Sequence, residues 1–240
     1  MPHAFSQATG LSETTSTTTS TTAPSNLLVG QIPLKLGLLS NMIFLDLSTN
    51  LLVGRIPPSL GFLPNLAYIY LRSNQLEGSI PDELGQLQEL KELILGRNKL
   101  LGEFPKAVLN LSTSLQILGL EFNMLGKALP PKIGDFLPNL KELTLDSNTF
   151  EGDIPASLGN ATGLEQIELS NNSFTGKIPT SFGKLSKLTR LNLEHNQLEA
   201  REGRDWEFLN ELRNCRSLNM LSLSGNQLQG YIPQFIGNLS

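Results

Sequence analysis

Eight side chains carry most of what this sequence offers a ligand: Tyr68, Tyr70, Arg72, Arg97, Glu121, Glu142, Asp146 and Glu168. Exposed tyrosine beside arginine is the composition of an interface hot spot, and carboxylates among them draw cationic partners. Paired carboxylates such as Glu142 and Asp146, or Glu168 and Glu194, do acid–base work only where surroundings push two pKa values apart. A sheet open to water has nothing to raise one pKa apart from the other, so these pairs are not expected to divide into acid and base. His195 has Glu194 beside it but no placed nucleophile, because Cys215 belongs to a different segment. No catalytic residue is assigned, and the chain reads as a binder, not an enzyme.

The single cysteine excludes an internal disulfide framework and a Cys-rich zinc site. With only His3 and His195 there is no multi-histidine metal centre either, so neither metal nor cofactor is expected. A formal charge of −4 and a pI near 5.3 lack the basic footprint of a nucleic-acid binder. No apolar run reaches the roughly 18 residues of a membrane span.

The elements that must position these side chains are written in a repeat. Leucine fills 49 of 240 positions and asparagine 20. Asparagines recur at Asn26, Asn50, Asn74, Asn98, Asn123, Asn148, Asn172, Asn196 and Asn226, at intervals of 24 or 25 except for 30 before the last. Proline stands seven residues after most of them, and glycine four and eleven residues after most. Leu or Ile sits five and three residues before each from Asn50 onward, as in Leu143 and Leu145 before Asn148.

A spacing of two puts both side chains on one face of a short strand. Copies stacked sideways then make a parallel sheet over a continuous leucine core. The asparagine amide is expected to donate to and accept from backbone groups of its own and neighbouring coils. Glycine permits the positive φ of the turn that follows, and proline ends the segment where no donor is wanted. The stretch after proline fits a short helical turn on the opposite, convex side.

The unit Leu-x-x-Leu-x-Leu-x-x-Asn-x-Leu-x-Gly-x-Ile-Pro-x-x-Leu-Gly-x-Leu resembles the plant-specific class of leucine-rich repeat, over residues 26–240. The resemblance implies an α/β repeat solenoid: a horseshoe with a parallel sheet on its concave face and short helical or 3-10 turns on its convex face. The long repeat 196–225 lacks the Ile-Pro pair and carries Asp205-Trp206-Glu207-Phe208-Leu209, then Asn214-Cys215. Such a repeat resembles ectodomains of grass receptor-like kinases related to bacterial-elicitor immune receptors. That family joins an extracellular horseshoe to one membrane span and a cytoplasmic serine/threonine kinase. The resemblance implies the outer face of the plasma membrane, a peptide or protein ligand, and a co-receptor ectodomain as partner. No kinase motif occurs in this chain. The expectation is a ligand-binding ectodomain fragment without span or kinase; the alternative is a freestanding leucine-rich-repeat binding or inhibitor protein in plant defence.

Function on such a scaffold belongs to the exposed strand face, at positions six, four, two and one before each asparagine. Seven acids and three arginines fall there, a difference of −4 that equals the formal charge of the chain. A basic or amphipathic peptide would be steered to that face. Phe44 and Phe122 join the two tyrosines on it, whereas Trp206 and Phe208 are expected to close a local core under an enlarged convex loop.

Residues 1–25 are a Ser/Thr-rich, low-complexity stretch expected to be disordered. No secretory signal pattern is visible at its start. Four sequons begin at Asn110, Asn160, Asn171 and Asn238. Asn110 and Asn160 are expected on the convex side, and Asn171 at the rim of the strand face.

Overall fold

The computed structural model describes residues 27–231, so the Ser/Thr-rich segment 1–25, Asn26 and Asn238 lie outside the described residues. Eight three-residue strands, from Phe44–Asp46 to Met220–Ser222, pair in sequence order as one parallel sheet. Their register is strict: Tyr68 aligns with Glu92, Glu92 with Ile117, Ile117 with Glu142, and Glu142 with Gln166. The middle residue of each strand points inward, and Ile69, Leu93, Leu118, Leu143, Ile167 and Leu191 are fully buried. With Leu71, Leu95, Leu120, Leu145, Leu169 and Leu193 they form one continuous core.

A second parallel sheet follows the asparagines, seven strands from Val29–Gln31 to Ser173–Thr175. The leucine spacing predicts one sheet; the second arises because the residue two after each asparagine from Asn50 to Asn196 is also buried. Leu52, Leu76, Leu100, Leu125, Phe150 and Phe174 anchor it, and its other side chains alternate outward. Convex 3-10 helices such as Pro58–Phe62 and Ala156–Asn160 open directly after a proline, whose carbonyl accepts the first turn bond.

The asparagines tie one coil to the next. Asn148 Oδ1 accepts the Leu125 N–H at 3.0 Å, and its Nδ2 donates to the carbonyls of Leu120 and Leu145 at 2.9 and 3.1 Å. Asn74, Asn98, Asn123, Asn172, Asn196 and Asn226 each bridge to the preceding coil in the same way. Asn50 accepts the Leu28 N–H and is itself buried. Each ladder amide therefore satisfies backbone groups that the turn leaves without strand partners.

Two glycine roles separate. Gly54, four residues after Asn50, has φ +78°, and in the irregular unit Lys127 takes the equivalent place at φ +65°. Gly61, eleven after Asn50, has ordinary backbone, but a Cβ there would stand 2.2 Å from the Glu83 carbonyl oxygen of the next coil. The later glycine column thus allows convex segments to approach closely.

The long repeat replaces one 3-10 helix with three short segments, Gly203–Trp206, Glu207–Glu211 and Leu212–Asn214. Trp206 and Phe208 are buried and stack at 6.1 Å between centroids, while the buried Cys215 thiol donates to the Phe182 carbonyl. Asp205 accepts the N–H groups of Arg201 and Glu202 and pairs with Lys177 at 2.6 Å. The Lys177 bond, then those backbone donors, hold its carboxyl down to about 2.

Candidate functional site

Position −6 from each asparagine forms one column across the sheet: Phe44, Tyr68, Glu92, Ile117, Glu142, Gln166, Arg190 and Met220. The aligned column at −4 runs Asp46, Tyr70, Ile94, Gly119, Thr144, Glu168, Asn192 and Ser222. These two columns and the −2 column, which holds Arg72, Gly96, Glu121, Asp146, Ser170 and Glu194, make up the exposed face of the strands.

An aromatic group occupies its first strands. Phe44 packs at 5.7 Å from Tyr68 and edge-on at 5.1 Å from Tyr70. The Tyr70 hydroxyl donates to the Glu92 carboxylate in a short hydrogen bond. Burial, then that bond, keeps the Tyr70 phenol protonated far above its usual range. Both tyrosines keep part of the ring exposed.

Arg72 and Arg97 do not act together. Arg72 crosses an entire strand to meet Glu121, Nε to Oε1 at 3.0 Å. The intervening residue is Gly96, and a Cβ there would fall 2.1 Å from Glu121 Oε1. Thr144 donates its hydroxyl to the other Glu121 oxygen at 3.3 Å. Arg97 instead stacks over the Phe122 ring at 4.2 Å. Both residues hold left-handed backbone, φ +56° and +51°, as does the residue before every ladder asparagine from Asn50 to Asn196. That shared turn lifts the −1 side chains to the rim.

The acidity of the face is unevenly available. Glu121 and Glu168 are 8% and 9% exposed, and each is covered by an arginine, Arg72 and Arg190 respectively. Glu194 accepts the Ser222 hydroxyl at 2.7 Å. Glu142 and Asp146 sit half-buried with neither an ion pair nor a side-chain hydrogen bond among the described residues.

Two acids of this face are shifted in the same direction by their surroundings. Burial first, then the charges of Glu121 and Glu168, push Asp146 up to about 6. Burial and the charges of Glu165 and Glu92 raise Glu142 as well. The two move in the same direction, so no acid is separated from a base, and no nucleophile stands between them. Their charge favours a cationic over an anionic neighbour.

Sequence reading did not find Gly96, whose missing side chain decides the reach of Arg72. A visible signal was its place in a column where other repeats carry side chains. Asn110 and Asn160 end convex 3-10 helices and are exposed, and Asn171 is exposed at the rim with φ +51°. The Asn160 amide is already engaged, donating to Asp135 and accepting from Lys184.

Leucine-rich-repeat family profiles match residues 41–63, 65–87, 138–198 and 217–239. The chain is a leucine-rich-repeat solenoid. A TDR receptor ectodomain is 37% identical, TM-score 0.81, over 89% of this chain and 36% of that one. The Arabidopsis receptor kinase HAESA, solved with the peptide hormone IDA and the co-receptor SERK1, is 36% identical, TM-score 0.81, over 89% of this chain and 35% of that one. A plant ice-binding protein is 31% identical, TM-score 0.72, over 86% of this chain and 64% of that one. The solenoid thus spans about a third of the length of the two receptor ectodomains. No curated protein sequence matches it significantly. Among the described residues no helix is long and apolar enough to cross a membrane.

Proposed function

We propose that the concave strand face of this solenoid binds an extended peptide or a partner protein, as a ligand-binding segment of a plant leucine-rich-repeat receptor kinase ectodomain. The observation that carries this reading is the division of the face into an aromatic group at Tyr68 and Tyr70 and uncovered carboxylates at Glu142 and Asp146. Likeness to ectodomains solved with peptide hormones supports it. A co-receptor ectodomain is the expected second partner. The Asp205-Trp206-x-Phe208-Leu209 repeat, with Asn214-Cys215, supports the grass immune subfamily and a role in plant defence. In that reading the segment works outside the cell, carries glycans, and leaves the span and the serine/threonine kinase to other parts of the receptor. A freestanding leucine-rich-repeat binding or inhibitor protein in plant defence is the alternative, and likeness to a plant ice-binding protein over 64% of its length favours keeping it.

The test is selection from a random 12-residue peptide library displayed on phage, with the whole chain as bait. Selected peptides should lose binding to the double variant Tyr68→Ala, Tyr70→Ala and to Glu142→Lys, and keep it with the convex variant Glu83→Lys. Loss with the convex variant alone, or no selected peptide at all, would overturn the reading.

A further inference from the structure

The face does more than attract basic peptides in general; its two features stand at a fixed separation. The strands Tyr68–Tyr70 and Glu142–Thr144 are three places apart in the sheet. With strand spacing of about 4.8 Å that is about 14 Å sideways, and Asp146 lies two residues further along than Tyr70, so the two ends are about 16 Å apart, or about five residues of an extended chain rising about 3.3 Å each.

The cation end is specific to one place. Glu121 and Glu168 flank Asp146 in the neighbouring strands, but both are buried and already hold Arg72 and Arg190. Asp146 holds no such partner among the described residues. Beside it on the next strand lies Ser170, a largely buried residue whose hydroxyl keeps access to solvent on the same concave side. An accessible hydroxyl and a half-buried carboxylate side by side, with no arginine or lysine laid over them, present oxygen acceptors to a donor group. A guanidinium or ammonium supplies several N–H donors and a positive charge. At the other end the Tyr70 ring is fixed by its bond to Glu92 and by Phe44, so it offers an apolar face at little entropic cost.

We propose that the concave face selects peptides carrying an aromatic or other apolar residue and, about five residues away, an arginine or lysine, the first resting on Tyr68 and Tyr70 and the second on Asp146 and Ser170. This rests on the concave-face binding proposed above. It also gives binding a pH dependence. The groups that face Asp146 are Glu121 and Glu168 from the neighbouring strands and Arg97 from two strands away, with Glu142 at the other end of its own strand and Glu194 two strands on. Burial first, then the two glutamates, raise its carboxyl, while its backbone hydrogen bond and Arg97 oppose them, leaving it at about 6. A bound cation favours the ionised form, so affinity rises as pH goes from 5 to 7.

The experiment uses peptides selected from the random 12-residue library against the whole chain. The expected result is an apolar residue and a basic residue about four to six positions apart in most selected sequences. Replacing that arginine by the neutral isostere citrulline should weaken binding about tenfold. Asp146→Asn should cause the same loss, and the two changes together no more than either alone. Ser170→Ala should weaken the arginine peptide and leave the citrulline peptide unchanged. The fall in affinity between pH 7 and pH 5 should disappear in Asp146→Asn. Peptides that depend on Tyr68, Tyr70 and Glu142 but lack the basic residue would overturn this inference and leave concave-face binding standing. A basic residue whose loss adds fully to Asp146→Asn would overturn it too. Absence of any selected peptide would overturn both.

Discussion

Arg72 and Glu121 form an ion pair of 3.0 Å although a complete strand runs between them. The strand they bridge contributes Gly96, so the pair lies flat on backbone where any larger side chain would lift it. One glycine therefore decides which carboxylates of the face are neutralised and which stay open.

Gly96→Ala should cost about 1–3 kcal/mol, because its Cβ meets a buried carboxylate that cannot move without leaving Arg72. Urea unfolding measures it. Combining Gly96→Ala with Glu121→Ala should cost less than the sum of the single changes, since the second removes the obstacle of the first.

Asn148→Ala should cost about 1–3 kcal/mol, leaving the Leu125 N–H and the carbonyls of Leu120 and Leu145 without that amide. Equal unfolding midpoints for variant and wild type would contradict the ladder's energetic role.

Asp146 links stability to pH with a definite sign. Its folded value of about 6 lies above the ordinary 3.8, so between them the native state keeps a proton that the unfolded chain releases. Stability contributed by this group falls as pH rises through that window. Asp146→Asn should therefore be more stable than wild type at pH 7.5, by on the order of 1 kcal/mol after solvent screening is allowed for, and equal to it near pH 4. Urea unfolding at the two values checks it.

Glycosylation tests the compartment. Expressed behind a signal peptide in plant cells, the protein should carry glycans at Asn110 and Asn160, whose convex positions leave the strand face clear. Mass spectrometry of the released peptides reads occupancy. A glycan on Asn171 would stand at the rim beside Ser170 and should weaken any peptide that needs Asp146.

The solenoid was legible because its constraints recur every 24 or 25 residues. A leucine pair, an asparagine and a glycine each meet the same local demand in every coil, so the pattern outweighs single departures such as Lys127. Features that depend on what lies one coil away were harder to read. The glycines eleven residues after the asparagines look like the others, yet Gly61 has ordinary backbone and answers only to the Glu83 carbonyl of the next coil. The columns of the face followed from the repeat, so Tyr68, Tyr70, Glu142 and Asp146 could be placed on one surface. Pairing within the columns could not. Register places Arg72 and Arg97 on adjacent strands, but the left-handed turn at Arg97 swings it onto Phe122 and the gap at Gly96 lets Arg72 reach Glu121. Column position does not reveal cover either: burial moves the Asp146 carboxyl, and nothing in the repeat marks it.

The most direct measurement is hydrogen exchange of the whole chain with and without a library-selected peptide. Binding on the concave face predicts slowed exchange in the strands between Tyr68–Tyr70 and Gln166–Glu168, with the convex helices Pro58–Phe62 and Ala156–Asn160 unchanged. Protection confined to the convex helices or to the second sheet would contradict it.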